Sequence, residues 1–250
     1  MSDQVVVITG ASSGIGAAVA ERLSRDGMAV ALVARRADAV ADVAARCGAQ
    51  ALAIAADMTV RADAERAAAE ATARFGHVDV WINNVGRGIT RPATMLTDDD
   101  IDEMIRVNVK SALYGMQAVL PHFTARGRGH LINVSSVLGR MPMAHFRSAY
   151  NGAKHFLNAL TANVREDLAA SHPGIAVSLV SPGVVRTEFG LNAVHGGPDS
   201  RTLPNSQSAE EVAEVIAGVI TSRAPDVYTR AGVKQMVLGY LDQLTADPPV

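Results

Sequence analysis

Little in this chain suits crosslinking, metal binding or polyanion recognition. It has one cysteine, Cys47, so no internal disulfide is possible and the thiol is expected to act as a small apolar filler. No Cys-x-x-Cys occurs, and the seven histidines fall in no His-Glu-x-x-His pattern, so no metal site is expected. Lys and Arg number 23 against 25 Asp and Glu, a net charge of -2. The basic excess or stripe with which a nucleic-acid binder neutralises phosphates is therefore missing. No apolar run approaches the ~18–20 residues needed to span a bilayer. Met1-Ser2-Asp3-Gln4 leads directly into apolar residues, without the charged-then-apolar signature of a signal segment. These absences point to a soluble, cytoplasmic protein with neither nucleic-acid nor membrane partners. Aromatic residues are also scarce, at 4 %, whereas there are 21 glycines and alanine is abundant. Hydrophobic residues at 48 % and charged residues at 19 % are a globular composition. At 250 residues about three-quarters of the unfolded surface can be buried, so the core needs no covalent staple. Small residues in place of rings suggest helices packed closely on a sheet, with glycines where backbone must approach something.

Apolar periodicity places buried strands at 5–8, 29–34, 51–56, 78–82, 130–134, 175–180 and 226–228. Between them, helical patterns cover 15–25, 37–46, 60–74, 148–170 and 209–220. A further helix opens on the N-cap signal of Thr97 and three aspartates and runs, with a break, to 126. Strands alternating with helices imply parallel pairing through right-handed crossovers. The expected fold is α/β, a doubly wound parallel sheet of about seven strands with helices on both faces. No repeat, linker or composition break divides the chain, so one domain over 1–250 is expected. The segment around 187–207 is aperiodic from Phe189 to Gln207, holds three glycines and two prolines, and is expected to form a lid.

Thr9-Gly10-Ala11-Ser12-Ser13-Gly14-Ile15-Gly16 lies between the first strand and first helix. Its glycines permit a sharp turn and close backbone approach, and the helix start behind it offers unpaired N–H groups and a positive dipole end to phosphate oxygens. The same letters contain Gly10-x-Ser12-x-Gly14, the nucleophile elbow of serine hydrolases, with His195 as candidate base. Against that alternative, an elbow at residue 12 leaves no earlier strands to build an oxyanion hole, and Gly16 goes unexplained.

Tyr150 and Lys154 are four apart near the start of a long helix and so share one face. Ser135-Ser136 ends the fifth strand at the carboxyl edge, where open α/β sheets bind ligands. With these pieces together the chain resembles the short-chain dehydrogenase/reductase family. The matching pieces are Thr9 to Gly16, Asp57, Asn83-Asn84-Val85-Gly86, Asn108, Ser136, Tyr150-x-x-x-Lys154 and Pro182-Gly183-x-x-x-Thr187, in family order over nearly the whole chain. The resemblance implies a Rossmann-type fold and Asn108, Ser136, Tyr150 and Lys154 as the catalytic set. Tyr150 would exchange a proton with the substrate oxygen, and Ser136 would hydrogen-bond that oxygen. Lys154 would hold the nicotinamide ribose, and Asn108 would connect Lys154 to solvent. A free tyrosine has a pKa near ~10, so a working value near ~7 asks for about 4 kcal/mol of phenolate stabilisation. Lys154 and an oxidised nicotinamide are charges able to supply it. Ser136 is preferred to Ser135 because it precedes x-x-Gly139; its spacing to Tyr150 is one residue longer than the family pattern, which places an insertion among 140–147.

Further cofactor contacts implied by the resemblance are Gly10, Ser12, Ser13, Gly14, Ile15, Gly16, Asp57, Met58, Asn84, Gly86, Pro182, Gly183, Val185 and Thr187, besides Tyr150 and Lys154. At the end of the second strand, where an acid would favour a free ribose 2′-OH, the chain has Ala34-Arg35-Arg36. Arginine binds phosphate, so NADP(H) is expected over NAD(H), with Arg35 as main contact, Arg36 beside it and Ser12 assisting. Val85 replaces the family's alanine, close to where the adenosine is expected. Gly88, Leu138, Met141, Met143, His145, Phe146, Val185 and Phe189 suggest an apolar pocket for a hydrophobic ketone or secondary alcohol; Arg87, Arg140 and Arg147 would instead suit a carboxylate. A non-catalytic NAD(P)-sensing protein on the same fold is the second reading, opposed by the presence of Ser136, Tyr150 and Lys154. The family is commonly dimeric or tetrameric, so a homo-oligomer is expected.

Overall fold

The computed structural model describes residues 4–244; Met1 to Asp3 and the stretch 245–250, the two ends of the expected domain, lie outside the described residues. Seven apolar runs become strands: β1 (Val5–Thr9), β2 (Ala29–Ala34), β3 (Ala51–Ala55), β4 (Val80–Asn83), β5 (Gly129–Val134), β6 (Ile175–Ser181) and β7 (Asp226–Tyr228). They form one sheet in the order β3-β2-β1-β4-β5-β6-β7, with every neighbouring pair parallel. The order reverses between β1 and β4, which opens a crevice at their carboxyl ends.

The helices are α1 (Gly14–Arg25), α2 (Ala37–Cys47), α3 (Arg61–Phe75), α4 (Asp98–Ile105), α5 (Ser111–Arg126), α6 (Ser148–Ala169), α7 (Ala209–Ser222) and α8 (Val233–Leu244). Side chains alternate across each strand, so β1 sends Val6 and Ile8 into the core under α1, α2 and α7. Val5 and Val7 enter the opposite core, under α3, α5 and α6. Ala64, Ala67, Ala68 and Ala71 form the buried stripe of α3, and their small size lets that helix lie close on the sheet. Gly115 has the same purpose in α5: a Cβ there would sit 2.2 Å from Asn83 Oδ1 and 2.7 Å from Trp81 Nε1.

The expected break in the fourth helical stretch is a π-turn, Arg106–Lys110, between α4 and α5. Thr97 caps α4 in a reciprocal capping box with Asp100. The sequence reading ends at β7, and α8 is an addition: its buried residues are Val233 and Val237, packed on Val137 and Met141. Met141 thus contributes to this satellite core rather than to a pocket wall, and Met143 is exposed. Among the described residues no helix is long and apolar enough to cross a membrane.

His130 is buried within the sheet, with Nε2 2.8 Å from Ser178 Oγ on the neighbouring strand. Burial, aided by the charge of Arg223, pulls its pKa from the ordinary 6.5 down to about 4. Below pH 6.5 the unfolded chain therefore binds a proton that the folded chain refuses, so stability is full above 6.5 and falls towards pH 4. The loss attributable to this group amounts to about 3 kcal/mol at the acid end. His130→Asn should flatten the fall in urea midpoint between pH 7 and 4.5; an unchanged pH slope would show that His130 does not drive it.

Candidate active site

The turn after β1 is built for close approach. Gly10 and Gly14 have φ of 69° and 56°, in the left-handed region that favours glycine. A Cβ on Gly16 would lie 2.4 Å from the Gly10 carbonyl oxygen and 2.7 Å from Asn84 Nδ2. Asn84, just past β4, donates its side-chain amide to the Thr9 and Gly10 carbonyls at 3.2 and 3.3 Å, stitching the two sides of the crevice together. Ser13 precedes α1 without capping it, and the first turn of α1 carries no acid. The helix start therefore retains unpaired N–H groups and a positive end suited to an anion. Thr187, beyond β6, lies against this turn, its Cγ2 3.2 Å from the position of a Gly14 Cβ. Gly16→Ala should overpack the turn and destabilise it by roughly 1–3 kcal/mol, with a lower melting temperature and weaker dinucleotide binding by titration; a wild-type melt with undiminished binding would contradict this.

Around the turn, Arg35 and Arg36 follow β2 and are exposed, and Arg36 Nη2 donates to Ser12 Oγ at 3.3 Å. Ile15 and Val185 pack on the core under α1. Asp57 follows β3, where its Oδ1 accepts from the Thr59 N–H and Oγ1 at 2.9 and 2.8 Å. Met58 is buried in the opposite core. Val85 packs against that same core, which gives its extra methyls a place. The Pro182 carbonyl accepts from the Val137 N–H at 2.9 Å and ties the ends of β5 and β6, and a Cβ on Gly183 would meet nothing within 4 Å.

A second cluster forms where β4, β5 and α6 meet. The π-turn buries Asn108, whose Oδ1 accepts from the Arg87 N–H at 3.1 Å and whose Nδ2 donates to the Met104 carbonyl at 3.1 Å. A Cβ on Gly86 would come within 3.1 Å of Asn108 Oδ1 and 3.6 Å of Lys154 Nζ, so these three residues converge. Lys154, buried one turn after Tyr150, donates to the Val134 carbonyl at 3.0 Å and lies 5.7 Å from the Tyr150 ring centroid. Ser136 is in hydrogen-bonding reach of the Tyr150 phenol and accepts from the Leu138 N–H at 3.1 Å. Ser135 is turned elsewhere, onto Asn158.

A family model for short chain dehydrogenases matches residues 4–195. The chain belongs to the short chain dehydrogenase family. It is 34% identical over 187 residues to an uncharacterized oxidoreductase of Staphylococcus epidermidis, covering 75% of this chain and 80% of that protein. A Staphylococcus aureus oxidoreductase, also uncharacterized, is 32% identical over 213 residues, 85% of this chain and 90% of the relative. Among solved structures, a short-chain dehydrogenase from Sphingobium yanoikuyae in complex with NADPH superposes with a TM-score of 0.79 at 29% identity, covering 98% of each chain. A short chain dehydrogenase/reductase from Burkholderia phymatum in complex with NAD gives 0.87 at 24% identity, covering 99% of this chain and 98% of that one, a likeness of fold.

In this dehydrogenase the electrostatics depart from the simple picture of a lysine acidifying a tyrosine. Burial pushes the Tyr150 phenol up to about 12, while the Ser136 hydrogen bond and the charge of Arg147 pull the other way. Burial likewise pulls the Lys154 ammonium down to about 8. The cation acting on Tyr150 here is Arg147, which the sequence marked as suited to a carboxylate and not as a partner of Tyr150. Its signal was spacing: three residues before Tyr150, it shares that residue's side of the helix start. The serine-hydrolase alternative has no support from this geometry, because Ser12 bonds Arg36 whereas His195 Nε2 bonds Asp100 at 2.7 Å.

The 187–207 segment contains no regular element but is anchored. Val194 bridges to Ile89, Gln207 bridges to Val185, and the Phe189 ring packs edge-on to Tyr150 at 5.5 Å between centroids. Asp100 holds it from below, bonding His195 and, at 2.9 Å, Arg91.

Proposed function

We propose that this dehydrogenase interconverts a ketone or aldehyde with the corresponding alcohol, using NADP(H) in preference to NAD(H), as one domain whose lid is 187–207. The observation that carries the reading is the convergence of Asn108, Ser136, Tyr150 and Lys154 beside Gly86, on the same sheet edge as the glycine turn. A bound nicotinamide cofactor supplies or takes up the hydride. Gly10 to Gly16 and the start of α1 hold its phosphates, Arg35 and Arg36 its 2′-phosphate, and Gly86 leaves room beside Lys154 for its ribose. Asp57, Met58, Asn84, Pro182, Gly183, Val185 and Thr187 complete the binding surface.

Tyr150 gives its proton to the carbonyl oxygen in reduction and takes it back in oxidation. Ser136 donates a hydrogen bond to the same oxygen, stabilising charge that develops there. Lys154, when charged, stabilises the phenolate left on Tyr150, and Asn108 holds the backbone behind it. The test is a panel of carbonyl compounds followed by NADPH absorbance, with Tyr150→Phe as control. Consumption that depends on Tyr150 supports the reading, and a protein that binds NADPH but reduces nothing fits the sensing alternative. We further propose a homodimer or homotetramer working in the cytoplasm; exposed Phe156 on α6 supports an interface there, to be checked by light scattering.

A further inference from the structure

Three arginines were candidates to meet a charged substrate, and two are already neutralised. Arg87 pairs with Glu103 at 3.3 Å and donates to the Asn192 carbonyl at 3.0 Å; Arg140 pairs with Asp226. Arg147 differs. It is 7 % exposed, and its hydrogen bond within the protein runs from Nη1 to the Ile89 carbonyl at 3.2 Å. Among the described residues it has no acidic partner.

Two further features make this cation costly as placed. Guanidinium does not shed its proton, so burial leaves a charge without a counter-charge. Arg147 is also the N-cap residue of the 22-residue helix α6, the positive end of the helix dipole, where a cation is disfavoured. Both terms are relieved by an anion at the same spot. Thr90 Oγ1, buried and without a hydrogen-bond partner, faces the same corner. A Cβ on Gly197 would be 2.8 Å from this hydroxyl and 3.2 Å from Arg147 Nη2, and one on Gly88 would be 2.8 Å from Nη1. Phe189 joins the corner to the reacting centre: its ring packs on Tyr150, and its Cε1 is 3.0 Å from the Gly88 Cβ position.

We infer that Arg147, assisted by Thr90, is the carboxylate-binding subsite of the substrate pocket. The substrate is then a small oxo acid, or the hydroxy acid derived from it, with its carbonyl a few bonds from the carboxylate. One planar fork and one hydroxyl match a monoanionic carboxylate; a phosphate dianion asks for more donors. The inference rests on the oxidoreductase reading and narrows its apolar-ketone form.

Calorimetric titration of the NADP+-loaded protein with pyruvate, acetoacetate and levulinate, each against its methyl ester, tests it. At least one acid should bind ten-fold or more tightly than its ester. Arg147→Met should erase that ratio while leaving ester affinity within about three-fold, and Arg147→Lys, which keeps the charge but not the fork, should fall between. Acids binding no better than esters, or a ratio that survives Arg147→Met, overturns the inference. If the Met variant fails to fold, an unchanged ratio in the Lys variant overturns it equally. Turnover separates this from the parent reading. Esters reduced without acid preference sink the subsite alone, whereas Arg147-dependent acid binding with no NADPH consumed by acid or ester upholds the subsite and sinks the oxidoreductase.

Discussion

Replacing Tyr150 by phenylalanine should lower kcat by about 10²–10⁴-fold, the range a positioned acid–base group contributes. The fold should tolerate the change, because only a hydroxyl is lost and the ring still packs beneath Phe189. Cofactor affinity, held mainly by the glycine turn and the start of α1, should change little. The sign of the pH response follows from the same site. Burial keeps the phenol protonated up to about pH 12 before cofactor binds, so the proton needed for carbonyl reduction is in place throughout the neutral range. Alcohol oxidation needs the phenolate, so its rate should climb with pH while reduction does not. Residual reduction in Tyr150→Phe close to wild type, at unchanged pH dependence, would remove Tyr150 from the mechanism.

The second large effect concerns the cofactor. Arg35→Asp is expected to shift the NADPH-to-NADH ratio of kcat/KM towards NADH by roughly 10–150-fold, the worth of one charge-assisted hydrogen bond of 1.5–3 kcal/mol. Arg35 and Arg36 are solvent-exposed at the end of β2, and Arg36 is tied to Ser12 in the glycine turn. In a chain of net charge -2 this is a placed positive pair rather than part of a general basic surface. Introducing an acid there both repels a 2′-phosphate and offers an acceptor to a free ribose hydroxyl. Wild-type kcat/KM already higher with NADH would refute the assignment.

Much of the architecture was legible because its causes are local. A strand covered on both faces must be a continuous apolar run, and β2 spans the same residues, Ala29 to Ala34, in the sequence reading and in the sheet. Thr97 and the aspartates after it set the start of α4 by a capping box within four residues. The glycine turn was legible for the same reason, since a positive φ at Gly10 and Gly14 is a property of single residues. Tyr150 and Lys154 share a face simply because α6 is a helix. Less legible were α8, with just Val233 and Val237 buried, and the π form of the break that buries Asn108.

What the sequence by itself determined was the order of the elements, the crevice they must open and the residues brought to its rim. The tertiary structure alone decided the charge environment there. Arg147 reads as one of three equivalent arginines suited to a carboxylate until Gly88 and Gly197, each about fifty or more positions away, are folded against its guanidinium. From the sequence Lys154 is expected to acidify Tyr150, whereas burial in the fold raises the phenol and lowers the ammonium. Helices and turns follow from neighbours in the chain, whereas desolvation and unpaired charge depend on neighbours in space.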